Sequence, residues 1–505
     1  MHASVKPLSA SCAGTPKLPA DFEDRLEVIE LLMNRGAQVA QLNPLKKNAL
    51  FFIGDSRVAE ILLGKAGKPD LEHALEAKDL EGCTALLSLL GSSVGSEIPS
   101  LLIDSGASLH AVDGDGRSTL VTAVWKNRTE IVREILRDHK VAAKEDHRKR
   151  NIWHHVTYTN TEKVLTDSTI DLLLSIDERI ASVNQLDEKK RSSLHSSAIW
   201  GTTRIAKIIL ARSTASVHAT EHHDKTPLHF AATYGHVEIA DMLLRNRAAI
   251  DAQCYGNLTP LHMACGSGTD SVEMVNFLLK KGASVKSRSD DQMTPLHIAA
   301  AHGQVKIVNA LLVPLNGADV NAVSEGGWTP LHLASCGQHT RHLDAPVGNF
   351  ESGLKVSELK VTVDYVATVR ALLAGHANIN QTSRTLRTAL HIAAEWGQED
   401  IVKVLLEKKN IRFTAKDSAG NTPLLDAANS TQRGKIVPLL TPWTTHGVES
   451  LPSDIKTAAK SFDANIVDFQ NSSGKIRRYR ASVFDVLYRN HGSAGEEASV
   501  GSICQ

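Results

Sequence analysis

A recurring pattern of Thr, Pro, Leu, His and Ala is the feature that most constrains how this chain can fold. The clearest copies read TPLHFAATYG from Thr226, TPLHIAAAHG from Thr294 and TALHIAAEWG from Thr388. Further copies, some of them degenerate, begin at Asn48, Thr84, Ser118, Asn151, Ser192, Thr259, Thr329 and Thr422. Most of these anchor residues are 33–36 positions apart, so the chain repeats one structural unit along its length.

Each copy carries the residues of two short helices. In one copy, Thr226 can cap a helix start and Pro227 suits the first helical turn. Gly235 then ends that helix, and apolar residues recur at helical spacing from Val237 to Leu244. Neither helix can bury its apolar face alone, so the pattern predicts that neighbouring units stack on one another.

Composition agrees with a stack of thin cores. Aromatic residues make up only 4% of the 505 residues, whereas one large core usually needs their bulk. The formal net charge is zero, which argues against a polybasic protein, and 42% hydrophobic content argues against a disordered acidic chain. The six cysteines are scattered, and we identify neither a secretory signal nor a membrane span. We therefore expect a cytoplasmic protein, with the nucleus as the second compartment.

The T-P-L-H-x-A motif at this spacing resembles the ankyrin-repeat family across about residues 21–440. The resemblance implies an all-α solenoid of about eleven units, each with two antiparallel helices and a projecting β-hairpin finger. The segment Asp24–Val39 resembles the second half of one more unit, which would begin the array. The resemblance also implies a structural role for the histidine of each motif, which bridges the backbone and the Thr hydroxyl of neighbouring fingers. These histidines are His195, His229, His262, His297, His332 and His391.

Two long gaps between anchors predict insertions, one near residues 158–166 and a larger one at 337–364. We expect residues 1–20 to be a disordered tail, and residues 441–505 to be a linker followed by a mostly disordered tail. That last segment resembles the junction after ankyrin arrays in larger proteins with a membrane-transporter module. In this interpretation the chain is a free-standing or truncated relative of them.

Aromatic residues concentrate at one position of the repeat. The resemblance implies that the residue eight positions after each anchor faces the concave side of the stack. That position holds Trp200, Tyr234, Ser267, His302 and Trp396, while Trp125 is one position earlier and Trp328 precedes its anchor on a finger. We call the following residues the concave set and predict that they bind a partner: Trp125, Trp200, Tyr234, His302, Trp328 and Trp396. Fingertip residues Glu325 and Gln292 complete the candidate site. The alternative, that each ring packs on the next unit, stays open.

Metal and catalytic sites have weaker support. Cys336, His339 and His342, with Asp344 nearby, are ligand types that zinc prefers, but they fall in the larger insertion, where a solvated loop is the preferred interpretation. No nucleophile–base set, phosphate-binding loop or metalloprotease motif stands out. We therefore expect no enzymatic activity, no cofactor and no small-molecule substrate.

Three short motifs leave alternatives open. The basic runs Lys144–Arg150 and Lys475–Arg480 suit an anionic contact or nuclear import, although a solvated surface fits the first run better. Leu451–Lys456 loosely resembles the start of an F-box-like element.

The preferred function is a noncatalytic scaffold or regulatory adaptor that binds a partner protein on the concave ankyrin surface. The alternatives are a nuclear or transcriptional regulator, an accessory regulator of a biosynthetic pathway, and an F-box-like ubiquitin-ligase adaptor. We expect no direct contact with nucleic acid.

Overall fold

The computed structural model describes residues 21–157, 165–177, 181–267, 272–337, 363–430 and 432–441. Within these ranges the chain forms 24 α-helices and no β-strand, as an all-α ankyrin solenoid requires. The two terminal tails, most of both insertions, the run Lys475–Arg480 and the F-box-like segment lie outside the described residues, so the expectations for them stay predictions.

The chain divides into two compact units. The first comprises Met1–Pro227 and Glu238–Ala248. Its helices are α1 (Asp21–Asn34), α2 (Ser56–Lys65), α3 (Lys68–Glu76), α4 (Ala85–Gly91), α5 (Glu97–Asp104), α6 (Thr119–Trp125), α7 (Thr129–Ile135), α8 (His139–Ala142), α9 (Ile152–Thr157), α10 (Asp167–Leu174), α11 (Ser193–Trp200) and α12 (Thr203–Arg212).

Two helices lie at the boundary between the units, α13 (Pro227–Tyr234) and α14 (Val237–Arg245). The second unit comprises Leu228–Val237 and Ala249–Gln505. Its remaining helices are α15 (Pro260–Gly266), α16 (Val272–Lys280), α17 (Pro295–Ala301), α18 (Val305–Leu311), α19 (Pro330–Ser335), α20 (Tyr365–Ala374), α21 (Ala389–Glu395), α22 (Glu399–Leu406), α23 (Pro423–Asn429) and α24 (Arg433–Leu440).

Helices of the same kind stack on one another within each compact unit. In the second, the first helices of successive repeats pack in the order α15, α17, α19, α21 and α23. The second helices pack in the order α16, α18, α20, α22 and α24. Small residues such as Ala299 and Ala393 are fully buried on the first helices, which lets neighbouring backbones approach closely. The burial pattern is that of a repeat stack, in which each core lies between adjacent units.

Where a repeat carries the motif histidine, that side chain is buried and joins the repeat to the finger of the next one. The Thr294 N–H donates to Nδ1 of His297 over 3.1 Å, and Nε2 of His297 donates to the Trp328 carbonyl over 3.0 Å. The Thr294 hydroxyl lies 2.9 Å from the same Nδ1. Equivalent bonds form at His154, His195, His262, His332 and His391. The structural role expected of the T-x-L-H histidines is confirmed at these positions, and His154 joins them from a degenerate repeat.

The fingers are tight turns. Each is a five-residue turn in which the N–H of the first residue donates to the carbonyl of the fifth. Among the described residues, this bond closes the turns 43–47, 79–83, 113–117, 146–150, 187–191, 221–225, 254–258, 289–293, 324–328, 383–387 and 417–421. No β-strand is assigned to the fingers in the described ranges, where two isolated antiparallel β-bridges pair Val112 with Ser118 and Cys254 with Leu258. The number of repeats stays a prediction.

The larger insertion separates two helices that still pack together. The first of them, α19, precedes it, α20 follows it, and the two are in direct contact. The Asp364 N–H donates to the Gly303 carbonyl over 3.0 Å, so the chain rejoins the stack beside the preceding repeat. Gly303 has a φ of +63°, and a Cβ there would lie 2.9 Å from Val363, so only glycine fits this junction without strain.

Candidate functional site

In the first compact unit, Trp125 is the final residue of α6, and its ring is held in place while staying half-exposed. Its Nε1 donates to the His155 carbonyl over 3.0 Å, and its ring lies edge-on to the His155 ring. The Arg117 guanidinium sits 5.4 Å from the ring centroid, a cation–π distance. The ring therefore both packs on the next repeat and presents surface to solvent.

A buried polar cluster lies directly behind Trp125. Asp146 Oδ2 is 2.6 Å from Nη2 of Arg150 and 3.1 Å from Nε2 of His155. Burial opposes the charged form of Asp146, but the adjacent His155 and Arg150 side chains outweigh burial and hold the pKa of this carboxyl well below its usual range. Burial also lowers the pKa of His155. The sequence analysis did not predict this cluster. A polar residue directly after the motif histidine, here His155 after His154, is the sequence feature that could have indicated it.

Trp200 ends α11, eight residues after Ser192, and is half-buried. Gly201 follows in a left-handed conformation and stops the helix at the ring. By contrast Trp153, two residues after its anchor, is only 1% exposed and donates from Nε1 to the Ala181 carbonyl over 2.8 Å. The repeat position, and not the residue type, decides which tryptophan reaches solvent.

In the second compact unit, three members of the concave set lie at first-helix ends. Tyr234 is the last residue of α13, and His302 and Trp396 follow directly after α17 and α21. All three are half-buried. Tyr234 stacks on His236 with ring centroids 6.3 Å apart, and Nδ1 of His302 lies 2.9 Å from the Ile298 carbonyl. Ser267, at the same repeat position, is 1% exposed and offers no surface to a partner.

The remaining predicted residues belong to fingers of the second compact unit. Trp328 is the fifth residue of its turn, half-buried and edge-on to the His332 ring at 5.9 Å. Glu325 and Gln292 are exposed at the tips of adjacent turns. These tips are linked, because the Glu325 N–H donates to the Asp291 carbonyl over 2.9 Å. The structure thus brings Glu325 next to the turn of Gln292. Each member of the concave set belongs to a different repeat.

Of the candidate zinc ligands, the structure describes only Cys336, and its surroundings do not support the zinc hypothesis. Cys336 is buried, and its Sγ donates to the His332 carbonyl over 3.6 Å. Burial raises the pKa of the Cys336 thiol to about 12, which disfavours the thiolate that binds metal. His339, His342 and Asp344 lie outside the described residues. In the part of the chain that the structure describes, no three Cys, His, Asp or Glu side chains converge to hold a metal ion.

A second buried cluster escaped the sequence analysis. Arg387 is 8% exposed and donates to Glu395 Oε2 over 2.8 Å and to Asp426 Oδ2 over 2.9 Å. Burial and the nearby Glu395 outweigh the guanidinium and raise the pKa of Asp426 to about 7. Asp426 occupies the same repeat position as His155, four residues after its anchor. His155 meets Asp146 in the turn directly before its own anchor, whereas Asp426 meets Arg387 in the turn one repeat earlier.

Capped helix pairs, histidine bridges and projecting turns with half-exposed rings define a repeat protein of the interaction-module class. The chain belongs to the ankyrin-repeat family: the family model described as Ankyrin repeats (3 copies) matches residues 163–254, 214–289, 261–345 and 360–449, more than half of the 505 residues. Ankyrin repeats are modules for protein–protein interaction, so this coarse function applies to the chain.

Two curated relatives are similar over shorter stretches. The human transient receptor potential cation channel subfamily A member 1 is 27% identical over 180 residues, which are 35% of this chain and 16% of the channel protein. Chicken inversin is 41% identical over 64 residues, which are 13% of this chain and 6% of inversin. The chain therefore matches less than a fifth of the length of either relative. None of the described helices has both the length and the apolar character needed to cross a bilayer.

Proposed function

We propose that this protein is a noncatalytic scaffold or regulatory adaptor that holds a partner protein on the concave set, with Glu325 and Gln292 as flanking fingertip contacts. One observation carries the proposal. The rings at first-helix ends stay half-exposed, in a chain whose Trp153 shows that a tryptophan can be fully buried. Aromatic side chains are enriched among the residues that dominate binding energy at interfaces.

The rings are also restrained before any partner arrives. Trp125 is fixed by the hydrogen bond to the His155 carbonyl and by the Arg117 guanidinium, and Trp328 packs edge-on against His332. A side chain that is already ordered loses less conformational entropy on binding, by about 0.5–1.5 kcal/mol for each residue. Restraint and exposure together favour a binding role over a purely structural one.

The test is affinity purification with mass spectrometry from native cells, using the intact protein beside a Trp200→Ala/Trp396→Ala double variant. The matched control is Phe277→Ala, which removes a half-buried ring from the second helix α16. We expect a partner that the double variant loses and the control retains. Identical partner lists for all three proteins would remove the concave set from the binding site.

We place this role in the cytoplasm and keep the nucleus as the second compartment. The tail run Lys475–Arg480 separates the two. A fluorescently tagged protein that lacks residues 475–480 should keep the distribution of the full chain if the role is cytoplasmic. A nuclear signal that disappears with the run would support the nuclear regulator instead.

A further inference from the structure

Two basic segments that are far apart in the sequence meet on neighbouring fingers. The turn 146–150 reads DHRKR and the turn 187–191 reads DEKKR. The Glu188 N–H donates to the Arg148 carbonyl over 2.9 Å, so the two tips lie side by side. We call Arg148, Lys149, Lys189 and Lys190 the basic fingertips. All four belong to the first compact unit.

Both tips are built rigidly by an aspartate at the first turn position. Asp146 Oδ1 accepts the N–H groups of Arg148 and Arg150, each over 2.9 Å. Asp187 Oδ1 accepts those of Lys189 and Arg191 over 2.9 and 2.8 Å. These bonds fix the backbone of each turn, so the basic side chains project from a preorganised support.

Three of the four basic fingertips have no acidic partner in the described ranges. Arg150 and Arg191 already pair with Asp146 and Asp187 at 2.6 and 2.8 Å, which consumes both aspartates. Arg148, Lys149 and Lys190 are exposed, and none of them forms an ion pair with an acidic side chain in the described ranges. A local positive surface therefore remains on a chain whose net charge is zero.

Other fingers of the chain carry different chemistry, so a basic tip is not a requirement of the turn. In the second compact unit the adjacent turns 289–293 and 324–328 read SDDQM and SEGGW, with carboxylates at Asp290, Asp291 and Glu325. The turn hydrogen bond is the same in both compact units. The fold of the turn therefore does not fix the sign of the charge at its tip, and that charge can differ between fingers to suit a binding partner.

We propose that the basic fingertips bind an extended acidic segment of the partner protein. This inference rests on the proposed function, because it assigns the chemistry of one part of the partner. Asp and Glu side chains of such a segment can each meet one cation, and the Arg148 guanidinium suits bidentate pairing with a carboxylate. His222 extends the row, since its N–H donates to the Lys189 carbonyl over 3.3 Å and its Nε2 lies 2.9 Å from the Glu188 carbonyl.

Nucleic acid fits this surface less well. Proteins that hold duplex DNA typically neutralise about six to ten phosphates, and the two tips offer three exposed cations, Arg148, Lys149 and Lys190. The exposed Glu188 belongs to one of these turns and would repel a continuous phosphate backbone. A peptide with spaced carboxylates can avoid Glu188, whereas a polymer with a charge at every step cannot.

The experiment measures binding of a fluorescein-labelled peptide of alternating Glu and Gly, by anisotropy at 0.05, 0.15 and 0.5 M salt. The test variant is Arg148→Glu/Lys149→Glu/Lys190→Glu. The control is Lys46→Glu/Lys78→Glu/Lys207→Glu, which makes the same change in net charge at exposed positions of the same compact unit. Circular dichroism confirms that both variants remain helical.

We expect the test variant to weaken peptide binding at least tenfold at 0.15 M salt, the control to change it less than twofold, and salt to weaken it throughout. Equal losses in the two variants would overturn the proposal, because the attraction would then follow net charge alone. Tighter binding of a single-stranded oligonucleotide of equal charge, lost in the test variant, would overturn it in favour of nucleic acid.

The same variants separate this inference from the proposed function. The partner recovered from cells is tested against the fingertip variant and against Trp200→Ala/Trp396→Ala. We expect both to weaken it. If only Trp200→Ala/Trp396→Ala loses the partner, the fingertip proposal is wrong and the scaffold proposal stands. If only the fingertip variant loses the partner, the concave set is not the binding site and the fingertip proposal stands.

Discussion

Tryptophan shows at the residue scale how repeat position sets the role of a side chain. Trp153 occupies the Leu position of its motif and lies in the core, while Trp200 occupies the helix end and reaches solvent. Trp153 also receives the Arg212 guanidinium 5.1 Å from its ring centroid, which seals the ring further. Trp153 therefore contributes to stability, whereas Trp200 contributes to the proposed binding surface.

This division predicts different costs of truncation. Trp153→Ala should lower the free energy of unfolding by about 3–5 kcal/mol, since it empties a packed site and orphans the Ala181 carbonyl. Trp200→Ala should cost about 1–2 kcal/mol, because part of its ring is already in water. Urea denaturation followed by circular dichroism measures both. Similar large losses in the two variants would show that Trp200 is core and leave the concave set without it.

Polar clusters between repeats act at the element scale. Arg387 precedes α21, Glu395 ends it, and Asp426 lies on α23, so one guanidinium joins two stacked first helices. Unlike an exposed ion pair, this cluster is buried, so removing one partner leaves the others without compensation. It fixes how the last described repeats are arranged on one another.

Arg387→Ala should therefore lower the free energy of unfolding by about 3–5 kcal/mol. The control is Arg384→Ala, which removes an exposed guanidinium from the tip of the same turn and should cost less than about 0.5 kcal/mol. Thermal and urea unfolding of the two variants provide the comparison. If they unfold alike, the cluster does not hold the two helices together.

Several of these elements could be predicted from the sequence and others could not. The helices around Thr226 and Gly235 follow from local capping and periodicity, and the chain forms them where expected. The contact of Arg148 with the turn of Glu188 depends on the register of two repeats about forty positions apart. The Arg387–Asp426 pair likewise crosses a repeat boundary. Single-repeat patterns do not contain such information, and aligning the finger positions of adjacent repeats would have revealed both contacts.

The buried histidines act at the scale of the whole molecule because they recur along the described chain. Each accepts an N–H at Nδ1 and donates from Nε2, so each must be neutral. Burial, only partly offset by the bond to a backbone carbonyl, lowers the pKa of six of them to about 4: His154, His195, His262, His297, His332 and His391. In the unfolded chain the same groups titrate near 6.5.

Stability should consequently be full above pH 6.5 and fall as the pH drops towards 4, because the unfolded chain then binds more protons than the folded one. Each histidine contributes at most about 3 kcal/mol to this loss. Asp426 works in the opposite direction, since its raised pKa adds stability as the pH falls below 7. The stability that six histidines lose on acidification is larger than the stability that Asp426 gains.

Urea midpoints measured from pH 7.5 to 4.5 test this expectation. His297→Gln should show a smaller decline than the natural chain, because an amide can accept and donate in place of the ring without titrating. Midpoints that stay constant over this range would contradict the role of the histidines in acid sensitivity.

The contact between α19 and α20 bears on how this chain could be divided. These helices pack together although the larger insertion separates them in the sequence. The entropy of closing such a loop grows only with the logarithm of its length, by about 0.6 kcal/mol for each doubling. Cutting the chain there, or lengthening it with a foreign domain, should leave two complementary surfaces that still find each other. The repeat that contains the insertion should thus tolerate added sequence without a change in how the neighbouring helices pack.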